Sequence, residues 1–180
     1  MILLIIDIYL KNQREQNNNM VSLSAFLKHS LYIESIKKEE VYSEMNDVVL
    51  NKTTTIERCV NRIHEVYENE PKNLEDFMKQ DSIILNIQRA CEASIDLAMH
   101  IVSERKLGVP KASREAFKLL QDAHLIDTNL AETLMNMVGF RDIAVHDYQA
   151  LELEILQAIL EKHIVDFKAF TKIVLQLEKE

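Results

Sequence analysis

Only 2 glycines and 2 prolines occur in the 180 residues of this chain. Sheet proteins need frequent tight turns, and these two residues supply the backbone angles that such turns require. Their scarcity points to a few long helices joined by short loops. Hydrophobic residues make up 47% of the chain, which is enough for a core and too many for a disordered tail. The length suits one domain with an appendage.

The hydrophobic pattern agrees. Residues 1–44 read irregularly: an apolar start, the polar run Asn17-Asn18-Asn19, then a weakly patterned stretch. From residue 46 to about residue 69, Val49, Ile56, Val60, Ile63 and Tyr67 recur at helical spacing, and Pro71 suits a stop. A second helix is expected over about 74–105, with Leu85, Cys91, Ala98 and Val102 on its inner face. Leu107-Gly108-Val109-Pro110 ends it, with Gly108 as a left-handed cap. Ser113 can cap a short third helix carrying Ala116, Phe117 and Leu120. A fourth begins after Asp127 or Thr128, carries Leu130, Leu134 and Met137, and runs toward Arg141. The last covers about 151–177, with Leu156, Ile159, Val165, Phe170 and Val174 among its apolar residues. The expected fold is all-α, an antiparallel bundle of about five helices. The last helix is apolar over a wider arc than one bundle covers. A symmetric homodimer is the simplest cover for the surplus, and packing of residues 1–44 is the alternative. No repeat of solenoid length is present.

Charge and composition exclude several functions. The formal net charge of -8 argues against broad coating of nucleic acid, which needs an extended basic face. It leaves room for a small site gripping one phosphate. Cys59 and Cys91 fall inside apolar helical patterns and are expected to be buried thiols. They have no zinc-ligand spacing and form no disulfide framework. The apolar run at the start stops at Lys11, short of the roughly 20 residues that span a bilayer, and no signal peptide is evident. The expected compartment is the cytoplasm.

None of the 6 histidines is preceded three residues earlier by Glu, and no His-Glu-x-x-His occurs, so no metal and no cofactor are expected. His64, His100, His124 and His163 read as surface or boundary residues. Asp96 and His100, one helical turn apart, are expected to hydrogen-bond. No glycine-rich phosphate loop or nucleophile elbow exists.

The segment from Arg141 to Tyr148 is different. Arg141, Asp142, His146, Asp147 and Tyr148 crowd together where the helical pattern breaks. Arginine can hold a phosphate by two parallel hydrogen bonds, and histidine can give or take a proton near neutrality. Together they suit phosphodiester cleavage without a metal. On an unbroken helix the two would lie about 140° apart. A bend between them would let them converge, and so would pairing across a two-fold axis. A capping network remains open as the other reading: Asp147 caps the last helix, Arg141 pairs with Asp142 or Asp147, and Tyr148 packs.

The stretch Met137-Val138-Gly139-Phe140-Arg141-Asp142-Ile143-Ala144-Val145-His146-Asp147-Tyr148 resembles the signature of the HEPN superfamily in its HepT-like branch. That signature is Arg, a polar residue, a short spacer, His, any residue, then Tyr. The resemblance runs from about Met45 to the C-terminus, and it includes Asp81–Ala93 and the Leu107–Pro110 connection. It implies a helical homodimer with the motif at the subunit cleft and metal-independent RNA cleavage by a toxin. By position, Arg141 would stabilise the scissile phosphate and His146 would be the general acid or base. Asp142 stands where the family often has Asn; it would orient Arg141 or His146 while weakening the positive field. Products with a cyclic 2′,3′-phosphate are implied. So is a minimal nucleotidyltransferase antitoxin as partner, which transfers AMP to the motif tyrosine, here Tyr148. The added phosphate and bulk would repel RNA and fill the cleft. The alternative function is a non-catalytic helical module that binds a nucleotidyltransferase or a nucleotide.

The resemblance does not cover residues 1–44, so residues 45–180 are read as the helical domain. The first segment is either an extension that packs on the bundle or its partner, or sequence upstream of a natural start at Met45. The second is favoured, because Lys38-Glu39-Glu40-Val41 can be encoded by a purine-rich run suited to ribosome binding. The segment holds 5 basic and 6 acidic side chains, so the acidic excess belongs to the remainder. A surface of that sign would favour RNA presented at a concave site.

Overall fold

The computed structural model describes residues 46–146 and 152–179. The chain separates into a unit Met1–Glu44 and a unit Met45–Glu180. The described residues all belong to the second, and the expectations for residues 1–44 lie outside them. Among the described residues there is no strand.

Helix α1 spans Asp47–Tyr67. The Asn46 side chain caps it by accepting from the Val48 amide at 2.9 Å. The expected stripe is its buried face: Val49, Ile56, Val60, Ile63 and Tyr67 are all buried. It ends at Glu68, whose left-handed backbone (φ 55°) returns its amide to the His64 carbonyl. A 3₁₀ turn, Pro71–Glu75, follows, with proline at a position that needs no amide hydrogen.

Helix α2, Phe77–Glu104, is the axis of the bundle. Asp76 caps it by accepting from Met78 and Lys79. Its 28 residues make a rod of about 42 Å. It carries apolar side chains on more than one flank because α1, α3, α4 and α6 all pack on it. The Lys52–Asp96 ion pair and the groove shared by Arg58 with Arg89 and by Glu65 with Ser82 show that α1 runs antiparallel to α2. The same ion pair overturns the Asp96–His100 expectation. Asp96 faces α1, whereas His100 turns toward Glu104, 3.9 Å away. Leu85, expected inside, is 44% exposed.

The C-terminus of α2 also differs from expectation. The capping left-handed residue is Lys106 (φ 55°); Gly108 also has a positive φ (139°) but lies two residues beyond it. The Leu107 amide reaches back to Val102 at 3.0 Å, closing a Schellman-type end with Leu107 packed on the core. Helix α3 spans Ser113–Asp122, so Ser113 is its first residue and caps nothing. The Glu115 carboxylate instead reaches back to the Lys111 amide. Phe117 of α3 meets Phe170 edge-on, with ring centroids 5.7 Å apart.

Helix α4, Thr128–His146, is capped by Asp127, which accepts from Leu130 at 2.8 Å. The final rod has three parts: α5 (Leu153–Ala158), a π turn (Ile159–His163) and α6 (Ile164–Leu177). The π turn inserts a residue into the helical phase. Leu156 is buried before it, Ile159 and Leu160 within it, and Ile164, Phe167, Phe170 and Val174 after it. Val165, expected among the packing residues, is turned out to 62% exposure. Leu153 and Ile155 are also exposed. The Tyr67 hydroxyl donates to Glu161 of the π turn, and burial raises its pKa above the ordinary tyrosine value.

Cys59 and Cys91 are free, buried thiols, as expected. The Cys91 sulfur approaches the Met137 carbonyl of α4 at 3.4 Å, and burial pushes its pKa up to about 12. Burial raises that of Cys59 as well. Both should therefore resist a thiol reagent at pH 8 in the native protein and react fully once it is denatured; fast native labelling of Cys91 would contradict this packing. Phe170→Ala should cost about 3–5 kcal/mol, read from urea unfolding, because it empties a fully buried site and removes the Phe117 contact.

Candidate active site

The motif helix is continuous. Helix α4 is continuous from Thr128 through His146, so no helix end falls between Arg141 and His146. At about 100° and 1.5 Å per residue, the two positions stand about 140° apart around one rod and about 7.5 Å apart along it. On one continuous helix the two positions do not share a face. The side chain of His146 and all of Asp147 and Tyr148 lie outside the described residues.

Arg141 is held where α4 crosses α2. Its side chain is only 19% exposed. Its Nε lies 3.1 Å from the Glu92 carboxylate of α2, and its Nη1 lies 3.0 Å from Asp142. The Nε–H is buried and not aimed at an acceptor, so the Glu92 contact is an ion pair without a hydrogen bond. The pairing with Asp142 matches the orienting contact foreseen for that residue. It is also the contact that the capping-network reading names. Two carboxylates, both about half-exposed, thus face one guanidinium. They fix its direction and locally outweigh its charge.

Glu92 is the residue that sequence reasoning missed. It falls within the Asp81–Ala93 stretch, yet 49 residues separate it from Arg141 and no local spacing connects the two. Only the antiparallel packing of α4 on α2 does. The same register places Cys91 beside Met137, and Gln88 together with Ala144 around a shallow recess with Asp81, Ile84 and Leu85. That recess lies along α4 toward its C-terminal end.

The opposite side of α4 carries an apolar groove. Met137, Gly139, Phe140 and Ile143 line it together with Ile155 and Ile159 of the final rod. A Cβ at Gly139 would meet the Arg114 guanidinium, the far end of a flexible side chain that can move aside. Among the described residues, no helix is long and apolar enough to cross a membrane.

Comparison with known proteins adds to this geometry. The family model for ribonuclease HepT-like proteins matches residues 56–174. The mRNA nuclease HepT of Shewanella oneidensis is 47% identical over 130 residues, which cover 72% of this chain and 98% of that protein. A solved tri-AMPylated HEPN toxin from Shewanella oneidensis, in complex with an MNT antitoxin, is similar at TM-score 0.69 and 46% identity, covering 72% of this chain and 98% of that one. A toxin–antitoxin structure with AMP-PNP is similar at TM-score 0.69 and 46% identity, covering 72% of this chain and 99% of that one. With the antiparallel helices, the Arg141 crossing and a match over most of its length, the chain belongs to the HepT-like ribonuclease family.

Proposed function

We propose that this chain is the toxin of a toxin–antitoxin pair, a metal-independent endoribonuclease acting in the cytoplasm as a homodimer. The observation that carries the reading is the 47% identity across 98% of an mRNA nuclease, together with a family match over residues 56–174 that includes Arg141. Residues 45–180 hold the activity, since the family match of 56–174 falls inside them.

The chemistry follows from the groups. Arg141 binds the non-bridging oxygens of one RNA phosphate and stabilises the charge that gathers there as the 2′-oxygen attacks. His146 takes the 2′-hydroxyl proton, or gives a proton to the departing 5′-oxygen. The P–O5′ bond breaks as the P–O2′ bond forms, leaving a cyclic 2′,3′-phosphate and a free 5′-hydroxyl. Two copies of α4 across a two-fold axis bring Arg141 and His146 together, as one continuous helix does not. The exposed Ile155 and Ile143, which line one groove, supply apolar surface for that contact.

Glu92 and Asp142 pre-orient Arg141 and also compete with phosphate for it. A minimal nucleotidyltransferase antitoxin transfers AMP to Tyr148: the phenol oxygen attacks the α-phosphorus of ATP and pyrophosphate leaves. The product places negative phosphate next to His146. The AMPylated state of a solved relative supports this reading.

Purified chain should cleave RNA in excess chelator, and His146→Ala should abolish the cleavage; undiminished cleavage by the variant overturns the catalytic assignment and favours the binding module. Ile155→Asp should shift the dimer to monomer in sedimentation and lose cleavage in parallel. Asp142→Asn should lower KM roughly two- to fivefold with kcat little changed, because an exposed pair is worth only a few tenths of a kcal/mol to 1 kcal/mol. Incubation with the cognate nucleotidyltransferase and ATP should add AMP to the native chain and not to Tyr148→Phe, as read by intact mass.

A further inference from the structure

One cluster of metal-binding side chains stands apart from the Arg141 site. His100 and Glu104 lie one turn apart on α2, and Glu178 follows the end of α6. One ligand atom from each falls within 4.8 Å of the others. The His100 Nε2 is buried and has no hydrogen-bond partner; the Glu104 carboxylate, at 3.9 Å, is beyond hydrogen-bond reach. A buried imidazole nitrogen normally has a partner, and an unsatisfied one carries a desolvation cost. Here it points at two carboxylates that come from elements far apart in sequence.

We propose that His100, Glu104 and Glu178 form a binding site for one divalent transition-metal cation, with Zn²⁺ as its occupant. One neutral imidazole and two carboxylates supply one nitrogen and two oxygens with a charge of two, which balances a divalent cation. A nitrogen ligand selects zinc-like ions over Mg²⁺ and Ca²⁺, which prefer all-oxygen shells. Three protein ligands leave the remaining position to water. Metal–ligand lengths near 2.0–2.2 Å require the three atoms to draw together by about 1 Å. Glu104 is about half-exposed and its side chain is free to move inward. The backbone beneath the third ligand is fixed: Arg105 donates to the Leu177 carbonyl at 2.7 Å, and the Glu178 amide bonds Val174.

The site lies eight residues beyond Glu92, about 12 Å along α2 from the Arg141 crossing. Its role is to clasp the end of the final rod to the bundle axis, not to take part in cleavage. It therefore departs from the expectation that the chain holds no metal, while RNA cleavage still needs none.

The test is calorimetric titration of untagged, chelator-stripped full chain with Zn²⁺, followed by thermal melts with and without the ion. One Zn²⁺ per chain, a raised Tm, and affinity weakened on the order of tenfold or more in both His100→Ala and Glu178→Gln support the site. Glu178→Gln is a near-isosteric change at a partly buried residue and reports even if His100→Ala folds poorly. Absence of saturable binding, or wild-type affinity retained in either variant, overturns it. Failure here leaves the nuclease reading intact, because RNA cleavage in chelator is scored separately.

Discussion

Everything in this fold is referred to one helix. α2 is buried along much of its length, and its neighbours are placed by how they pack on it. Three of its side chains set the chemistry of the molecule. Cys91 marks the depth at which α4 crosses, Glu92 meets Arg141 there, and His100 faces the carboxylates at the far end. A helix loaded on more than one side cannot rotate without disturbing every partner at once, so the Arg141 crossing inherits the rigidity of the core.

Polar groups in that core are reconciled locally. Thr53, Asn86 and Ser94 each return a hydrogen bond to a carbonyl of their own helix, at 2.7 to 2.8 Å. They occupy small volumes at helix contacts and leave no buried donor open. Arg141 and His100 are exceptions among the described residues, each with a buried nitrogen that lacks a hydrogen-bond partner. Both sit where a ligand is proposed, a phosphate in one case and a cation in the other.

The helices were legible because their signals are local. The stripe from Val49 to Tyr67 repeats every few residues, and Asp127 stands directly before its helix. Features decided by tertiary context were not. Lys106 takes the left-handed position although Gly108 is two residues away, because Leu107 must reach the core. Ser113 lies inside its helix and caps nothing, while Glu115 reaches back to the Lys111 amide ahead of it. Leu85 and Val165 follow the apolar pattern yet face outward, one beside a surface recess and one past the π turn. At the site, Arg141 and Asp142 could be read from the motif. Glu92 could not, because its contact exists only once α4 lies antiparallel on α2.

The continuity of α4 has a consequence for how such a protein would behave at low copy number. If the guanidinium and imidazole needed for one cut come from different molecules, a solitary chain is silent by construction. Output then rises with roughly the square of abundance until pairing saturates. Slow leakage from the gene would leave a cell unharmed, and a burst of synthesis would cross a threshold. A continuous helix of 19 residues would thereby act as a dosage sensor.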